Sequence, residues 1–382
     1  MAFEKYAAGR EQNAAAAAQG KKKRMMDPAA SRLSRTESVY EEDEYTGAGG
    51  DEMSGPEQKS GGNGGRIPIV LLCAALIAAG IFLLYKDISR DYRHGIYRCE
   101  NGRMLEAPAE PDPEKTDLVS SGVKDLAEKF PDVDQYMMLV PAAACIQPED
   151  LPENAQIRDQ KADLAQIRSK MPQSLQWIDL AETLSGHSGE NLYYDSDIYL
   201  TGWGSRYAAR AAMTAMEVKI PEGRDQCYLL SNTLIGRLAA DRLPALHLLD
   251  RQGERLEIYV PENEAYYYCI NGRSGKRSGS LYDSAAAAGT SPYDVFFEGG
   301  KALTQIHTTA INGETLLVVG DRTADSIVPL FVSSFEHIIL MHPSKCAKTV
   351  AGLAREYEVT KILYLYDAND FMTDSALLRA LN

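Results

Sequence analysis

Short apolar runs alternate with helical patterns from about residue 95 to the end of this 382-residue chain. Runs with the length and composition of buried strands lie at residues 135–140, 175–180, 315–319, 337–341 and 361–366. Helical patterns lie at residues 117–130, 153–171, 201–216, 323–335, 347–357 and 368–381. An alternation of strands and helices predicts an α/β fold, with a parallel sheet flanked by helices on both faces.

Residues 217–291 interrupt this alternation. Strand-like runs at residues 256–260 and 265–270, together with turn signals such as Asn271-Gly272, predict an insertion of strands and loops. The insertion includes the aromatic run Tyr266, Tyr267 and Tyr268. Alternating burial in a strand explains this run better than a sugar-stacking surface does.

The first 85 residues differ in composition from the rest. Residues 1–66 combine an alanine run, a basic cluster, an acidic run and a Gly-rich stretch. Such a segment buries too little apolar surface to offset the entropy of ordering, so it is predicted to be a disordered tail. Residues 67–85 contain no charge, and as a helix they nearly span a hydrocarbon core of ~30 Å. We therefore expect one transmembrane helix, a signal-anchor, followed by a folded domain over residues 86–382.

The charges beside this segment do not fix its orientation. More Lys and Arg residues follow the segment closely than precede it, which by the positive-inside rule favours a cytoplasmic C-terminal side. Large domains, however, translocate largely regardless of nearby charge.

Charge and cysteine content narrow the possible functions. The formal net charge of −14 argues against non-specific nucleic-acid binding, which needs a cationic face. The six cysteines form no CxxC pair and no metal-ligand pattern, and no cofactor is expected. Cys227 and Cys269 either form a disulfide or, as we favour, remain free thiols.

Asp321 and Arg322 directly follow the predicted strand at residues 315–319. Ligands of open α/β sheets bind outside the carboxyl ends of the strands. We therefore expect both side chains at that rim.

Four ordered blocks resemble the DHHW family of bacterial membrane-anchored proteins. The blocks are MLVPAAACIQPEDLP, YDSDIYLTGWG, PYDVFFEGG and LLVVGDRTADSIVPL, the last followed by FEHIILMHP. The family is similar to circularly permuted SGNH hydrolases and to acetyltransferase-like domains of alginate modification. The resemblance covers about three quarters of the chain, from Ile96 onward. It implies a flavodoxin-like three-layer domain outside the cell membrane, a single membrane pass, and a cytoplasmic tail over residues 1–66.

In that family the second block carries Asp-His-His-Trp-Thr, in which the Asp orients the second His as general base. The third block carries a Gly-Gly-Asn-like stretch for the oxyanion, and the fourth a Gly-Asp-Ser turn with the nucleophile. By position, this chain has Asp197, Ile198, Tyr199, Leu200 and Thr201, then Gly299 and Gly300, then Gly320, Asp321 and Arg322. The resemblance thus implies that Arg322 replaces the nucleophile, Tyr199 the base and Gly300 the amide, while Asp197 remains.

Neither Arg322 nor Tyr199 suits acyl transfer. Arginine stays protonated, and tyrosine with a pKa near ~10 is a poor base at neutral pH. We therefore expect a catalytically inactive domain of the cell envelope that binds a glycan or acts as a scaffold. Its old catalytic site would consist of Asp197, Tyr199, Gly300 and Arg322. The expected binding residues are Asp197, Tyr199, Thr201, Asp321 and Arg322. The expected partners are the membrane, an envelope glycan and a membrane O-acyltransferase.

Two other functions stay open. One is an acetylesterase or O-acetyltransferase-like enzyme of envelope polysaccharide that uses a displaced catalytic set, with Ser326 and His342 as the candidate pair. The other is a structural envelope component with no small ligand.

Arg322 itself has two possible positions. It either pairs with Asp197, whose buried carboxylate would need a cation once its histidine is lost, or points into solvent. We favour the pair. A divalent-cation site built from Asp195, Asp197, Asp321 and Asp325 is a further, less favoured alternative.

Overall fold

The computed structural model describes residues 72–73, 75–80, 92–93, 95–222, 225–240, 253–261, 266–271, 275–289 and 291–382. The predicted disordered tail, residues 1–66, lies outside these ranges. Of the predicted membrane span, only residues 72–73 and 75–80 are described, and they are helical. Within the described ranges, no helix has the length and apolar character needed to cross a bilayer. All elements below belong to the unit Ile69–Asn382.

The strands of the described ranges are β1 (Tyr92–Arg93), β2 (Ile96–Arg98), β3 (Met104–Glu106), β4 (Asp134–Val140), β5 (Leu175–Ile178), β6 (Asp225–Leu234), β7 (Glu254–Pro261), β8 (Tyr267–Asn271), β9 (Lys276–Ser278), β10 (Leu303–Thr308), β11 (Thr315–Gly320), β12 (His337–Met341) and β13 (Lys361–Asp367). The α-helices are α1 (Pro113–Lys129), α2 (Ala143–Ile146), α3 (Gln160–Lys170), α4 (Leu180–Ser185), α5 (Gly202–Ala215), α6 (Arg237–Ala240), α7 (Ala324–Ile327), α8 (Val350–Glu356), α9 (Ala368–Thr373) and α10 (Ala376–Leu381).

Eight strands form one sheet, in the order β5-β4-β13-β11-β12-β10-β8-β9. The first five strands of this order run parallel to one another. The central strands β4, β11 and β13 are buried along nearly their whole length, which is why they appear as continuous apolar runs in the sequence. The helices form two contacting groups, α1 with α3 and α10, and α5 with α4 and α7. The predicted α/β fold with a large sheet flanked by helices is confirmed.

The sheet is not parallel throughout, and in this respect the prediction was wrong. Strands β10, β8 and β9 extend it in antiparallel pairing. β10 had not been predicted, and β8 had been assigned to the insertion. Only residues 309–314 connect β10 to β11, which is too short for the crossover that two parallel strands of one sheet require. β10 therefore pairs antiparallel with β12. The other strands of the predicted insertion, β6 and β7, form a separate antiparallel pair.

Several helices differ in extent from their predictions. The helix predicted from residue 153 begins only with α3, where the Asp159 carboxylate accepts the N–H of Ala162 at 3.0 Å. The helix predicted over residues 323–335 is the single turn α7, followed by a 3₁₀ turn at Val328–Phe331. Pro329 lies at the start of that turn and supplies no N–H to an α-helical ladder. The helix predicted over residues 368–381 is divided into α9 and α10.

The cysteine alternatives are decided in favour of free thiols. Cys227 is exposed and Cys269 is buried, and neither forms a disulfide. In the tyrosine run, Tyr267 and Tyr268 are half-buried in β8, whereas the side chain of Tyr266 is 66% exposed.

Candidate functional site at the carboxyl end of the sheet

The carboxyl end of β11 turns sharply at Gly320 and Asp321. A Cβ atom on Gly320 would lie 2.3 Å from the carbonyl oxygen of Leu365 in β13, so only glycine fits there. The Asp321 carboxylate accepts the backbone N–H of Thr323 and that of Asp367, each at 2.8 Å. It thereby joins the ends of β11 and β13. Burial, and then the negative charge of Asp370, raise the pKa of Asp321 to about 7. The position of Asp321 at the rim is as predicted.

Arg322 follows directly and is held by two carboxylates. Its Nε atom lies 2.8 Å from Oδ2 of Asp325, and its Nη1 atom lies 2.8 Å from Oδ1 of Asp294. The guanidinium also donates to the carbonyl oxygens of Gly299 at 3.2 Å and Tyr293 at 3.3 Å. The side chain is 26% exposed, so it neither points freely into solvent nor lies fully in the core. Its planar fork is fixed by partners on two different loops.

Asp325 extends the cluster of charged side chains around Arg322 into the protein interior. Its side chain is 0% exposed, and its Oδ1 atom lies 2.9 Å from Nε2 of His342. The Nδ1 atom of His342 lies 3.1 Å from the carbonyl oxygen of Gly320. Both ring nitrogens thus lie close to oxygen atoms of the protein. Asp325 therefore contacts both Arg322 and His342.

The turn at residues 297–300 closes the other side of the cluster. Phe297, Glu298, Gly299 and Gly300 have φ angles of 50°, 53°, 86° and 65°. Left-handed backbone is costly for Phe and Glu, so the surroundings must hold the turn in place. Lys345 donates from Nζ to the carbonyl oxygens of Gly300 at 2.7 Å and Gly299 at 3.3 Å. The turn therefore presents carbonyl oxygens to two cations, whereas an oxyanion site needs hydrogen-bond donors.

Asp197 lies in the second block, buried with 4% exposure. Its carboxylate accepts the N–H groups of Ile198 at 2.8 Å and Arg237 at 3.0 Å. Burial raises the pKa of Asp197 above its ordinary value, and the nearby charges of Arg237 and Arg322 oppose that shift. The predicted Asp197–Arg322 pair was wrong, because both side chains have other partners. Two backbone N–H groups supply the compensation that the cation was expected to provide.

Tyr199 stacks on Tyr293, with ring centroids 4.0 Å apart and an angle of 13° between the planes. Burial, and then the charge of Asp197, raise the pKa of Tyr199 above its ordinary value, so the phenol stays protonated at neutral pH. Arg322 also acts on Asp197 and on Tyr199 through its charge. The structure thus brings the predicted residues of the second and fourth blocks into one neighbourhood.

Thr201 has a helix-capping position. Its Oγ1 atom accepts the N–H of Gly204 at 3.2 Å and donates to the carbonyl oxygen of Asn191 at 2.6 Å. The prediction that Thr201 is the N-cap of the helix, now α5, is confirmed. Its hydroxyl is committed to the backbone and buried.

The displaced catalytic pair is not assembled. The Oγ atom of Ser326 lies 2.9 Å from Oγ of Ser205, while both ring nitrogens of His342 contact other groups. The acidic cluster is not assembled either. Among the described residues, no group of three or more His, Cys, Asp and Glu residues is placed to hold a metal ion. Asp195 instead pairs with Arg103 at 2.9 Å.

Sequence reasoning missed the partners of Arg322. Asp325 lies three residues after Arg322 at the start of a helical turn, a spacing at which opposite charges meet, and this signal was available. Asp294 lies inside the third block but carried no distinguishing signal. Arg237 and Lys345 are brought to the site only by the tertiary fold.

A mixed α/β sheet with a Gly-Asp turn at the end of a central strand, and a buried Asp from a separate segment nearby, defines an SGNH-hydrolase-like domain. Residues 99–291 match the family model described as SGNH hydrolase-like domain, acetyltransferase AlgX, and the chain belongs to this family. The match covers half of the 382 residues and includes Asp197, Tyr199 and Thr201. Arg322 and the turn at residues 297–300 lie beyond it.

Solved structures share this fold. A DHHW family protein from Eubacterium siraeum is similar with a TM-score of 0.64 and 18% identity, over 76% of this chain and 96% of that one. PatB1 from Bacillus cereus, in a structure with a sulfonyl adduct, is similar with a TM-score of 0.61 and 20% identity, over 75% of this chain and 97% of that one. The predicted resemblance to the DHHW family is confirmed. No curated protein matches the chain significantly.

Proposed function

We propose that this domain is a catalytically silent member of its family, which binds a glycan or a protein partner at the cell envelope and does not transfer acyl groups. The observation that carries the proposal is the position of Arg322. It directly follows the Gly-Asp turn, where the resemblance expects the nucleophilic serine, and ion pairs with Asp294 and Asp325 hold it there. A guanidinium has no lone pair available for attack on an acyl carbon.

The rest of the old site supports the same conclusion. Tyr199 stands at the base position with a raised pKa, so it does not accept a proton near neutral pH. A Cβ atom on Gly300 would lie 2.9 Å from Oδ2 of Asp325, so a longer side chain has no room at the amide-donor position. The carbonyl oxygens of the same turn contact Lys345 and Arg322. The proposal thus rests on three positions at once, those that the resemblance assigns to the base, the oxyanion donor and the nucleophile.

Membrane attachment is the second part of the proposal. The uncharged segment at residues 67–85 supports a single-pass anchor, with the domain outside the cell membrane. Alkaline extraction of membranes that carry the full-length chain tests this part. We expect the chain to stay in the membrane fraction. Release of the intact chain into the supernatant would show that no segment is embedded in the bilayer.

Reaction with an aryl sulfonyl fluoride tests the catalytic part. PatB1, whose structure carries a sulfonyl adduct, serves as positive control. The full-length chain in detergent is expected to show no mass increase from sulfonylation at any serine, and p-nitrophenyl acetate hydrolysis no faster than that of an Arg322→Ala variant. Stoichiometric labelling of a serine would overturn the proposal. If Ser326→Ala then abolished labelling, the envelope acetylesterase or O-acetyltransferase with a displaced catalytic set would be established instead.

A further inference from the structure

A groove of about 910 Å³ lies between the small sheet β1-β2-β3 and the loop at residues 152–156. Tyr92 and Tyr97 contribute aromatic surface on the sheet side, and Pro152 and Ala155 contribute apolar surface on the loop side. Its volume falls in the range of small-molecule binding sites, about 300–1,000 Å³. Asp197, Tyr199 and Arg322 do not line it, so it is separate from the old catalytic site.

The two sides of the groove are fixed to each other. The hydroxyl of Tyr97 donates to the carbonyl oxygen of Gln156 at 2.6 Å, which joins β2 to the loop. Behind the groove, Nδ2 of Asn101 donates to Asp150 at 2.8 Å, and Arg103 forms an ion pair with the same carboxylate. The groove therefore exists before any ligand arrives, so binding would cost little ordering of the protein.

The rim of the groove carries polar side chains that do not stabilise the fold through polar contacts. Arg98, Glu100, Glu153 and Asn154 line it and are exposed. Within the described part of the chain, their side chains have no hydrogen-bond or ion-pair partner. They offer a guanidinium, two carboxylates and an amide around an aromatic surface. The excess of one carboxylate disfavours a polyanionic ligand.

We propose that this groove binds an uncharged oligosaccharide, with a sugar ring against Tyr92 and ring hydroxyls bonded to the rim. Tyr92 is the exposed aromatic element, with 52% exposure, and its ring packs on Tyr97 at 4.7 Å between centroids. Pyranose rings combine an apolar face with a belt of hydroxyls, which complements a tyrosine surrounded by amide, carboxylate and guanidinium groups. The inference deepens the proposed glycan-binding function by giving it a location and a ligand class.

Titration of the full-length chain in detergent with cellotetraose, chitotetraose and maltotetraose, followed by calorimetry, tests the groove. At least one of these sugars is expected to bind, and tetragalacturonate is expected to bind more weakly. Tyr92→Ala and Asn154→Ala should each weaken the affinity about tenfold, as truncation of a central contact residue does. Asn154 is exposed, so Asn154→Ala should leave the thermal midpoint unchanged. Tyr92→Ala also loses the ring contact with Tyr97, so it is titrated well below its own thermal midpoint.

Tyr266→Ala is the matched control, because this tyrosine is 66% exposed and lies in a different part of the chain, at the start of the aromatic run. It should bind like the parent chain. The groove assignment is overturned if none of the three sugars binds, or if Tyr266→Ala or Arg322→Met loses binding while Tyr92→Ala keeps it. Sulfonylation of a serine would refute the catalytic silence alone, since it reports on a different site. The two proposals therefore fail independently.

Discussion

Replacement of Arg322 by methionine is expected to destabilise the domain far more than loss of an ordinary surface arginine. Methionine keeps much of the apolar stem but removes the guanidinium that contacts Asp325 and Asp294, each at 2.8 Å. It leaves Asp325, which is 0% exposed, beside the His342 ring but without the guanidinium that contacts its Oδ2 atom. The carbonyl oxygens of Gly299 and Tyr293 lose a donor as well.

The two ion pairs contribute unequally. Breaking a buried pair by removing one partner costs about 3–5 kcal/mol. The Asp294 pair is partly exposed, so water screens it and it contributes at most about 1 kcal/mol. Because His342 remains beside Asp325, the total should lie near the lower end of the range. We expect a loss of about 3 kcal/mol in unfolding free energy, or roughly 5 °C in Tm for a domain of about 300 residues.

Urea unfolding followed by circular dichroism measures this loss at pH 7. Arg255→Met is the matched control, because that arginine is 69% exposed and pairs with Glu257 at 2.7 Å, so it should cost less than about 1 kcal/mol. In an Arg322→Met, Asp325→Asn double variant, part of the loss should be recovered, since no buried carboxylate is left short of a partner. Equal, small effects of Arg322→Met and Arg255→Met would refute the view that Arg322 neutralises a buried charge.

Three further outcomes are expected. Gly300→Ala should lower the unfolding free energy by about 1–3 kcal/mol more than Gly313→Ala. Both positions have positive φ, but only at Gly300 would a Cβ meet a carboxylate oxygen, at 2.9 Å. Equal losses in the two variants would show that crowding at Gly300 is unimportant. Thr201→Ala should cost about 1 kcal/mol through loss of the α5 N-cap, measured by thermal unfolding, and an unchanged Tm would contradict this role. Burial, together with the neighbouring His307, lowers the pKa of His337 to about 4, below the ordinary value near 6.5. The folded domain should therefore lose stability as the pH falls from about 6.5 toward 4. His337→Phe should flatten this pH dependence in urea unfolding, and an unaltered slope would exclude His337 as its source.

The alternation of apolar runs and helical patterns was sufficient to predict the central layers of the fold. Strands β4, β11, β12 and β13 were predicted to within a few residues, because strands buried on both faces must be apolar throughout. The antiparallel extension was less predictable. Leu303–Thr308 carries polar residues such as Gln305 and His307 in half-buried positions, so β10 lacks a continuous apolar signal. Its pairing with β12 depends on residues thirty or more positions away.

The candidate site likewise has features that the sequence predicts and features that depend on the tertiary structure. The sequence by itself determined that Arg322 follows a Gly-Asp turn at the end of a buried strand, and that Asp197 precedes the helix capped by Thr201. Motif order and local propensity are properties of neighbouring residues, so they can be recognised without a structure. Only the tertiary structure decided the partner of each charge. Asp197 is satisfied by the backbone N–H of its neighbour Ile198 and by that of the distant Arg237, and Arg322 is neutralised by Asp294 and Asp325. A buried charge must find compensation, but which group provides it depends on how separate loops meet in space.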